Sequence, residues 1–313
     1  MILTPIKCSA LLVLAACFIA AAAGPAPARA RTDNLLLLDA ARAGGRIVCV
    51  GERGVILLSD DLGLTWRQAA SPVTATLTAV YFHDAKRGWA VGHDAVILRT
   101  ADGGATWELA RSAPEEEKPL LDVWFTGPER GLTVGAYGAA YATADGGKTW
   151  RPARVLPGDM HLNALAGGGE KLLVAGEAGL LARTYDGGRN WARLASPYKG
   201  SFFGALALRD GALLVFGLRG RIYRSRDDGR TWARVGSDVQ TALMSGAVLD
   251  DGGVVLVGHD GAVLVSRDNG RRFVPHRHPA GSALAAVLSG ANGELLLFGE
   301  AGVQRLALRQ AGR

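Results

Sequence analysis

From residue 35 onward, apolar residues run or alternate over four to seven positions and then stop at Gly or Asp-Gly, as in Leu77 to Phe82, Gly88 to Val91 and Val96 to Arg99. Stretches of that length, with turn residues on both sides, predict β-strands joined by tight hairpins. No comparable helical periodicity follows residue 30. Two turn signals punctuate the strands in a fixed phase. The first is Gly-x-x-[Gly/Ala] between two apolar runs, led by Gly51, Gly92, Gly135, Gly176, Gly217, Gly258 and Gly299, which makes seven units. The second is an eight-residue turn, [Ser/Thr]-x-Asp-x-Gly-x-x-[Trp/Phe]. It begins at Ser59, Thr100, Thr143, Thr184, Ser225 and Ser266 and closes on Trp66, Trp107, Trp150, Trp191, Trp232 and Phe273. Successive copies lie 41 residues apart, with a single spacing of 43, so each unit offers three strands before the Asp turn and one after it.

Four short antiparallel strands in about 40 residues, repeated along the chain, predict a propeller. The expected fold class is all-β: one seven-bladed β-propeller of four-stranded antiparallel blades spanning residues 31–313. The seam departs from the pattern. The seventh unit supplies Leu284 to Leu288, Glu294 to Phe298 and Val303 to Leu308, with no Asp turn after them. The last blade is therefore expected to be incomplete: three-stranded, or patched by the short piece Arg31 to Asn34.

The residue types of the Asp turn explain its recurrence. A hairpin that reverses this tightly needs positive φ, which Gly63, Gly104, Gly147, Gly188, Gly229 and Gly270 tolerate. The carboxylates of Asp61, Asp102, Asp145, Asp186, Asp227 and Asp268 can accept hydrogen bonds from amides inside the turn, with the Ser or Thr hydroxyl assisting. The aromatic buries a large apolar face between neighbouring sheets. These six Asp residues are predicted to be scaffolding, because function resides in one site and this device is built six times.

Residues 1–30 read as a signal peptide. Lys7 precedes an apolar run from Ser9 to Ala23, Gly24, Pro25 and Pro27 break it, and Ala28-Arg29-Ala30 offers a cleavage site. The run of about 15 residues is short for a spanning helix, which needs about 20. The expected destination is the periplasm. Leu14-Ala15-Ala16-Cys17 resembles a bacterial lipobox, so a form anchored by lipid through Cys17 is the alternative. Cys8 and Cys17 lie in the leader, leaving Cys49 alone in an apolar strand, where a buried thiol packs as a small hydrophobe.

Charge narrows the partners only slightly. The chain carries 35 basic and 29 acidic residues, and loss of Lys7 and Arg29 with the leader reduces the formal charge from +6 to +4. Basic residues are spread around the repeats without an aromatic-rich stripe, so no nucleic-acid partner is expected. Glu115-Glu116-Glu117 is followed by Lys118 and reads as a solvated connector. His276-Arg277-His278, between Pro275 and Pro279, reads as a loop; with no third ligand nearby, no metal site is expected there. The Gly pairs do not precede helices, so no phosphate-binding cofactor is expected either.

Turns such as Thr-Ala-Asp-Gly-Gly-Lys-Thr-Trp, from Thr143 to Trp150, resemble the Asp-box or bacterial neuraminidase repeat. The longer unit from Leu77 to Thr100, with Leu-Thr-Ala-Val-Tyr-Phe, Gly-Trp-Ala-Val-Gly and Ile-Leu-Arg-Thr, is similar to the photosystem II stability/assembly factor family. The similarity extends over residues 35 to 308. The resemblance implies a non-catalytic seven-bladed propeller that binds a partner protein, with an integral membrane protein or complex whose biogenesis it assists as the expected partner; a monomer is expected.

Propeller ligands meet the face carrying the blade connectors and the turns between second and third strands, opposite the Asp turns. Those turns vary from blade to blade and present Arg53, His93, Asp94, Tyr137, Glu177, Arg219, His259, Asp260 and Glu300, and the connectors add Met160, His161, Tyr198, Lys199, Phe202, Phe203, His276 and His278. This is the candidate partner-binding face. Asp-box propellers also include sialidases, which the resemblance would equip with three arginines around a carboxylate, a Tyr nucleophile with a Glu partner, and an Asp acid/base. Arg53 and Arg219, with Tyr137 and Glu177, are the residues here that a sialidase-like glycoside hydrolase would use, and a third arginine and an isolated acid are not evident.

Overall fold

Each unit folds into one twisted antiparallel sheet because its apolar runs are too short for helices and are joined by turns that only hairpins need. The computed structural model describes residues 30–308. The leader assignment, with Cys8 and Cys17, falls outside the described residues apart from Ala30. In blade one, Leu37–Ala43, Arg46–Gly51, Ile56–Ser59 and Arg67–Gln68 pair in sequence order. Five further blades repeat the order with four strands each, and the seventh has three: Leu284–Ser289, Glu294–Gly299 and Gly302–Ala307. The first strand of each blade is innermost and touches the first strands of both neighbours. Leu37–Ala43 meets Leu284–Ser289 and so closes the ring.

The apolar core is divided into seven clusters, one between each pair of adjacent blades. Each closing aromatic enters the interface with the preceding blade: Trp66 packs against Phe298 of blade seven, edge to face with ring centroids 6.0 Å apart. Blade seven lacks an Asp turn, and the cluster it shares with blade six contains only aliphatic side chains. Cys49 is fully buried in the cluster between blades seven and one, where burial pushes its thiol pKa up.

Three expectations need correcting. Arg31 to Asn34 do not extend the last sheet; instead the Thr32 carbonyl lies over Gly302, where a Cβ would collide with it. His276 does not sit in a loop. Val274–Arg277 is the fourth strand of blade six, with Pro275 opposite Leu264, and an edge strand accepts proline where its N–H faces away from the sheet. The third concerns the acidic connector. Glu116 accepts hydrogen bonds from Arg111 and from the Tyr141 hydroxyl, tying blade two to blade three, so this part of the connector is a latch and not a freely solvated loop.

Candidate functional site

The two ends of the ring differ in chemistry. At the Asp-turn end, every carboxylate is occupied within its own turn. Asp145 Oδ1 accepts from the Thr143 hydroxyl at 2.8 Å and the Thr149 amide at 3.0 Å, and Oδ2 accepts from the Thr149 hydroxyl at 2.6 Å. The Thr143 hydroxyl in turn receives the Gly147 amide, and the Trp150 indole donates to the Gly147 carbonyl. Asp61, Asp102, Asp186 and Asp227 repeat the two-oxygen pattern with their own neighbours, and Asp268 accepts on Oδ1 from the Ser266 hydroxyl and the Arg271 and Arg272 amides. Six carboxylates are thus spread around the rim, one in each of blades one to six, and do not converge on a cleft.

The opposite end carries the Gly-x-x-[Gly/Ala] turns, and those of blades one to six each lean on the innermost strand of the following blade. The leading glycines are required by close approach. A Cβ on Gly51 would strike the Leu36 carbonyl, and the other six leading glycines meet the equivalent carbonyl of their own blades. The tips, by contrast, are left-handed at non-glycine residues: Arg53, Asp94, Tyr137, Arg219 and Asp260 have φ between 54° and 58°. That conformation projects their side chains into solvent.

The residues singled out on this face separate into two groups. Arg53, Asp94, Tyr137, Arg219 and Asp260 are exposed tips, as are His93 and His259 one position earlier. Tyr137 is 55% exposed and meets His161 edge to face at 4.9 Å, with Leu218 exposed on the turn of blade five. Glu177 and Glu300 instead hold the entry of their own innermost strand, accepting from the amides of His161 at 3.0 Å and Ala283 at 3.4 Å. Glu52 does the same for Leu36. Phe202 is fully buried and belongs to the core, and Phe203 lines the central channel. Tyr137 therefore faces an imidazole, and Glu177 is engaged by a backbone amide, unlike the nucleophile pair a sialidase needs. Among the described residues, no three His, Cys, Asp or Glu side chains gather where they could hold a metal ion.

A cleft of about 740 Å³ opens beside the turn of blade five, lined by Arg219, Arg221, Arg234 and the connector from Gly236 to Gln240. None of the three arginines has an acidic group within ion-pair distance among the described residues. Single arginines in the sequence gave no sign of this convergence, because Arg234 joins the others only through the pairing of blade five's outer strands.

The central channel was also missed. Four polar side chains on innermost strands bridge successive blades: Asp39 accepts from the Val80 amide at 2.8 Å, Thr78 donates to the Leu120 carbonyl at 2.6 Å, Asp122 accepts from the Leu165 amide at 2.7 Å, and Asn163 donates to the Phe202 carbonyl at 2.8 Å. From blade five onward the lining includes Phe203, Met244 and Ala285. The available signal was a polar residue one or two positions after the leucine that opens each innermost strand. Desolvation between the blades pushes both Asp39 and Asp122 up to about 7 against the pull of the donated amides, and the Asp122 charge raises Asp39 further. An unfolded aspartate titrates near 3.9, so these groups add stability fully below about pH 4 and lose it as pH rises to about 7. The melting temperature should fall across that window, and Asp39→Asn/Asp122→Asn should flatten the slope. An unaltered slope would remove both groups from the account.

The model of the family described as photosynthesis system II assembly factor YCF48 matches residues 58–119 and 113–250. The chain belongs to this family. Photosystem II assembly protein Ycf48 of Thermosynechococcus vestitus is 44% identical over 43 residues, a stretch covering 14% of this chain and 12% of that relative's own length. Among solved structures, Ycf48 bound to a D1 peptide superposes with a TM-score of 0.70 at 20% identity, covering 88% of this chain and 93% of that one. Virginiamycin B lyase from Staphylococcus aureus superposes at 0.74 and 12% identity over 88% and 96%. At such identities the superpositions speak for the fold alone, and that fold also carries an enzyme. The family match supports an assembly or protein-binding role for this chain.

Proposed function

We propose that this chain is an exported assembly factor whose variable face receives an extended segment of a membrane protein or complex during its biogenesis. The observation that carries the reading is the asymmetry between the two ends of the ring. The Asp-turn end repeats one internally satisfied motif, whereas the opposite end offers left-handed tips of mixed chemistry, among them Arg53, Asp94, Tyr137, Arg219 and Asp260, and a cleft with three guanidinium groups that have no ion-pair partner among the described residues. Guanidinium forks bind carboxylates bidentately, so the cleft suits an acidic side chain or a chain-terminal carboxylate of the partner. Tyr137, His161 and Leu218 supply apolar and aromatic contact beside it. The Ycf48 structure bound to a D1 peptide supports a peptide segment as the kind of ligand. The apolar leader and its processing signals support export.

Crosslinking in host membranes followed by mass spectrometry should recover one defined integral membrane protein. Arg219→Glu/Arg234→Glu should reduce that capture at least about tenfold, the scale of a lost charge-assisted anchor, while the melting temperature stays unchanged. Equal capture by the double variant would move the docking surface elsewhere.

A further inference from the structure

The central channel holds two carboxylates without a counter-charge. Its cavity of about 340 Å³ is walled by the innermost strands, and the described residues that line it include Asp39 and Asp122 but no lysine, arginine or histidine. Both aspartates are half-buried, so a ligand in the channel can reach them. Each carboxylate oxygen already accepts one amide: Asp39 from Ala40 and Val80 at 2.8 Å, and Asp122 from Val123 and Leu165 at 2.7 Å. An ionised carboxylate oxygen has a second lone pair, so each keeps a further acceptor site. Charges taken out of water are normally paired or ligate a metal; here desolvation instead pushes both groups up to about 7. Among the described residues no third carboxylate, imidazole or thiol joins them to hold a metal ion.

The carboxylates lie at the end of the channel that opens on the variable face. In every blade the residue that opens the innermost strand stands opposite the leading glycine, as Leu37 opposite Gly51 and Leu120 opposite Gly135. Asp39 and Asp122 follow only two positions later. The wall around them is divided. In blade four Asn163 gives its amide nitrogen to the Phe202 carbonyl, which leaves its Oδ1 as another acceptor, whereas Phe203 and Met244 make the wall apolar in blades five and six. A ligand that matches both halves carries a compact cation on an apolar stem. The lysine side chain is built this way, with an ammonium whose donors can turn toward separate acceptors. A guanidinium fits less well, because its planar fork pairs with both oxygens of one carboxylate, and an amide already lies on each of them.

We propose that the mouth of the channel receives a single lysine side chain of the docked partner, its ammonium held by Asp39, Asp122 and Asn163 and its stem against Phe203 and Met244. The inference rests on the variable face being the docking surface. It adds a basic residue over the centre of the ring to the acidic group at the arginine cleft, so the docked segment carries both charges.

In the whole protein, n-butylammonium is the probe of the pocket, followed through the amide signals of Val80 and Leu165 and the Met244 methyl. It should bind saturably and at least about tenfold more tightly than n-butanol, the scale of a hydrogen bond to a charged group, and Asp39→Asn/Asp122→Asn should abolish that preference. Affinity equal to that of n-butanol, or displacement by potassium at the same concentration, overturns the proposal whatever becomes of the docking surface. Met244→Lys supplies an ammonium from the channel wall itself and should lower capture of the membrane partner at least about tenfold, the scale of one lost anchor, whereas Met244→Leu should capture as the unaltered chain does. Full capture by Met244→Lys, with Arg219→Glu/Arg234→Glu still defective, would keep the arginine cleft as the docking surface and overturn the lysine pocket.

Discussion

Replacing Trp89 with alanine should cost about 4 kcal/mol of stability, within the range for emptying a buried indole. Trp89 lies on the second strand of blade two and is 2% exposed. Its ring stacks on Phe125 of blade three with centroids 3.3 Å apart and planes 11° apart, and its Nε1 donates to the Gly146 carbonyl of the third blade's Asp turn at 3.1 Å. A Cβ on Gly147 would run into the same indole. One side chain thus fills an interface and seats the neighbouring turn, and its removal leaves a cavity and an unpaired carbonyl together. Each blade rests only on its neighbours, so a weakened interface is not backed by a common core. The melting temperature should drop by roughly 10 °C for a chain of this size. Trp89→Phe keeps the stack but loses the hydrogen bond, and should cost about 1 kcal/mol more than packing alone requires. Denaturant titration of the two variants measures both; a Trp89→Ala loss below about 1 kcal/mol would mean that the interface collapses around the gap.

A steep loss of stability in acid is the second large expected effect. All six Asp-turn carboxylates are held below the usual range. In Asp61, desolvation raises the pKa, but the Thr65 hydroxyl and amide and the Ser59 hydroxyl outweigh it and bring the group down to about 2. In Asp227 the Thr231 hydroxyl is the largest cause, again reaching about 2. A folded pKa below the unfolded value means stability that is present above about pH 4 and lost as pH falls toward 2. With six turns protonating in one window, the melting temperature should drop by roughly 10 °C or more between about pH 4 and pH 2. Together with the opposite trend of Asp39 and Asp122, this sets the stability maximum near pH 4. Asp61→Asn and Asp145→Asn, each giving up one turn, should make the acid limb shallower; an acid limb equally steep in both variants would assign it to other groups.

The propeller and its blade count were legible because the repeat is local. A hydroxyl, a carboxylate and a glycine within four residues close each Asp turn on themselves, so the motif appears in sequence as it appears in space. The leading glycines were legible as punctuation, though their reason was not: Gly51 is extended, with φ −171°, and is needed because Leu36 passes against it. The variable face was only partly legible. Position in the turn separates the exposed Tyr137 and Arg219 from Glu177 and Glu300, whose carboxylates hold strand entries, yet residue type alone made all four look available.

Sequence alone determined the all-β class, the seven units, the four-strand order and the internal use of the six aspartates, since each depends on contacts within one unit. Only the closed ring decided what bridges the units. Asp39 finds Val80 41 residues away, Trp89 finds Gly146 57 residues away, and Arg305 reaches the Gly63 carbonyl across 242. In the sequence these are ordinary polar and aromatic residues within strands. Their partners are backbone groups of another blade, which carry no signature in residue type and come within reach only when the circle closes.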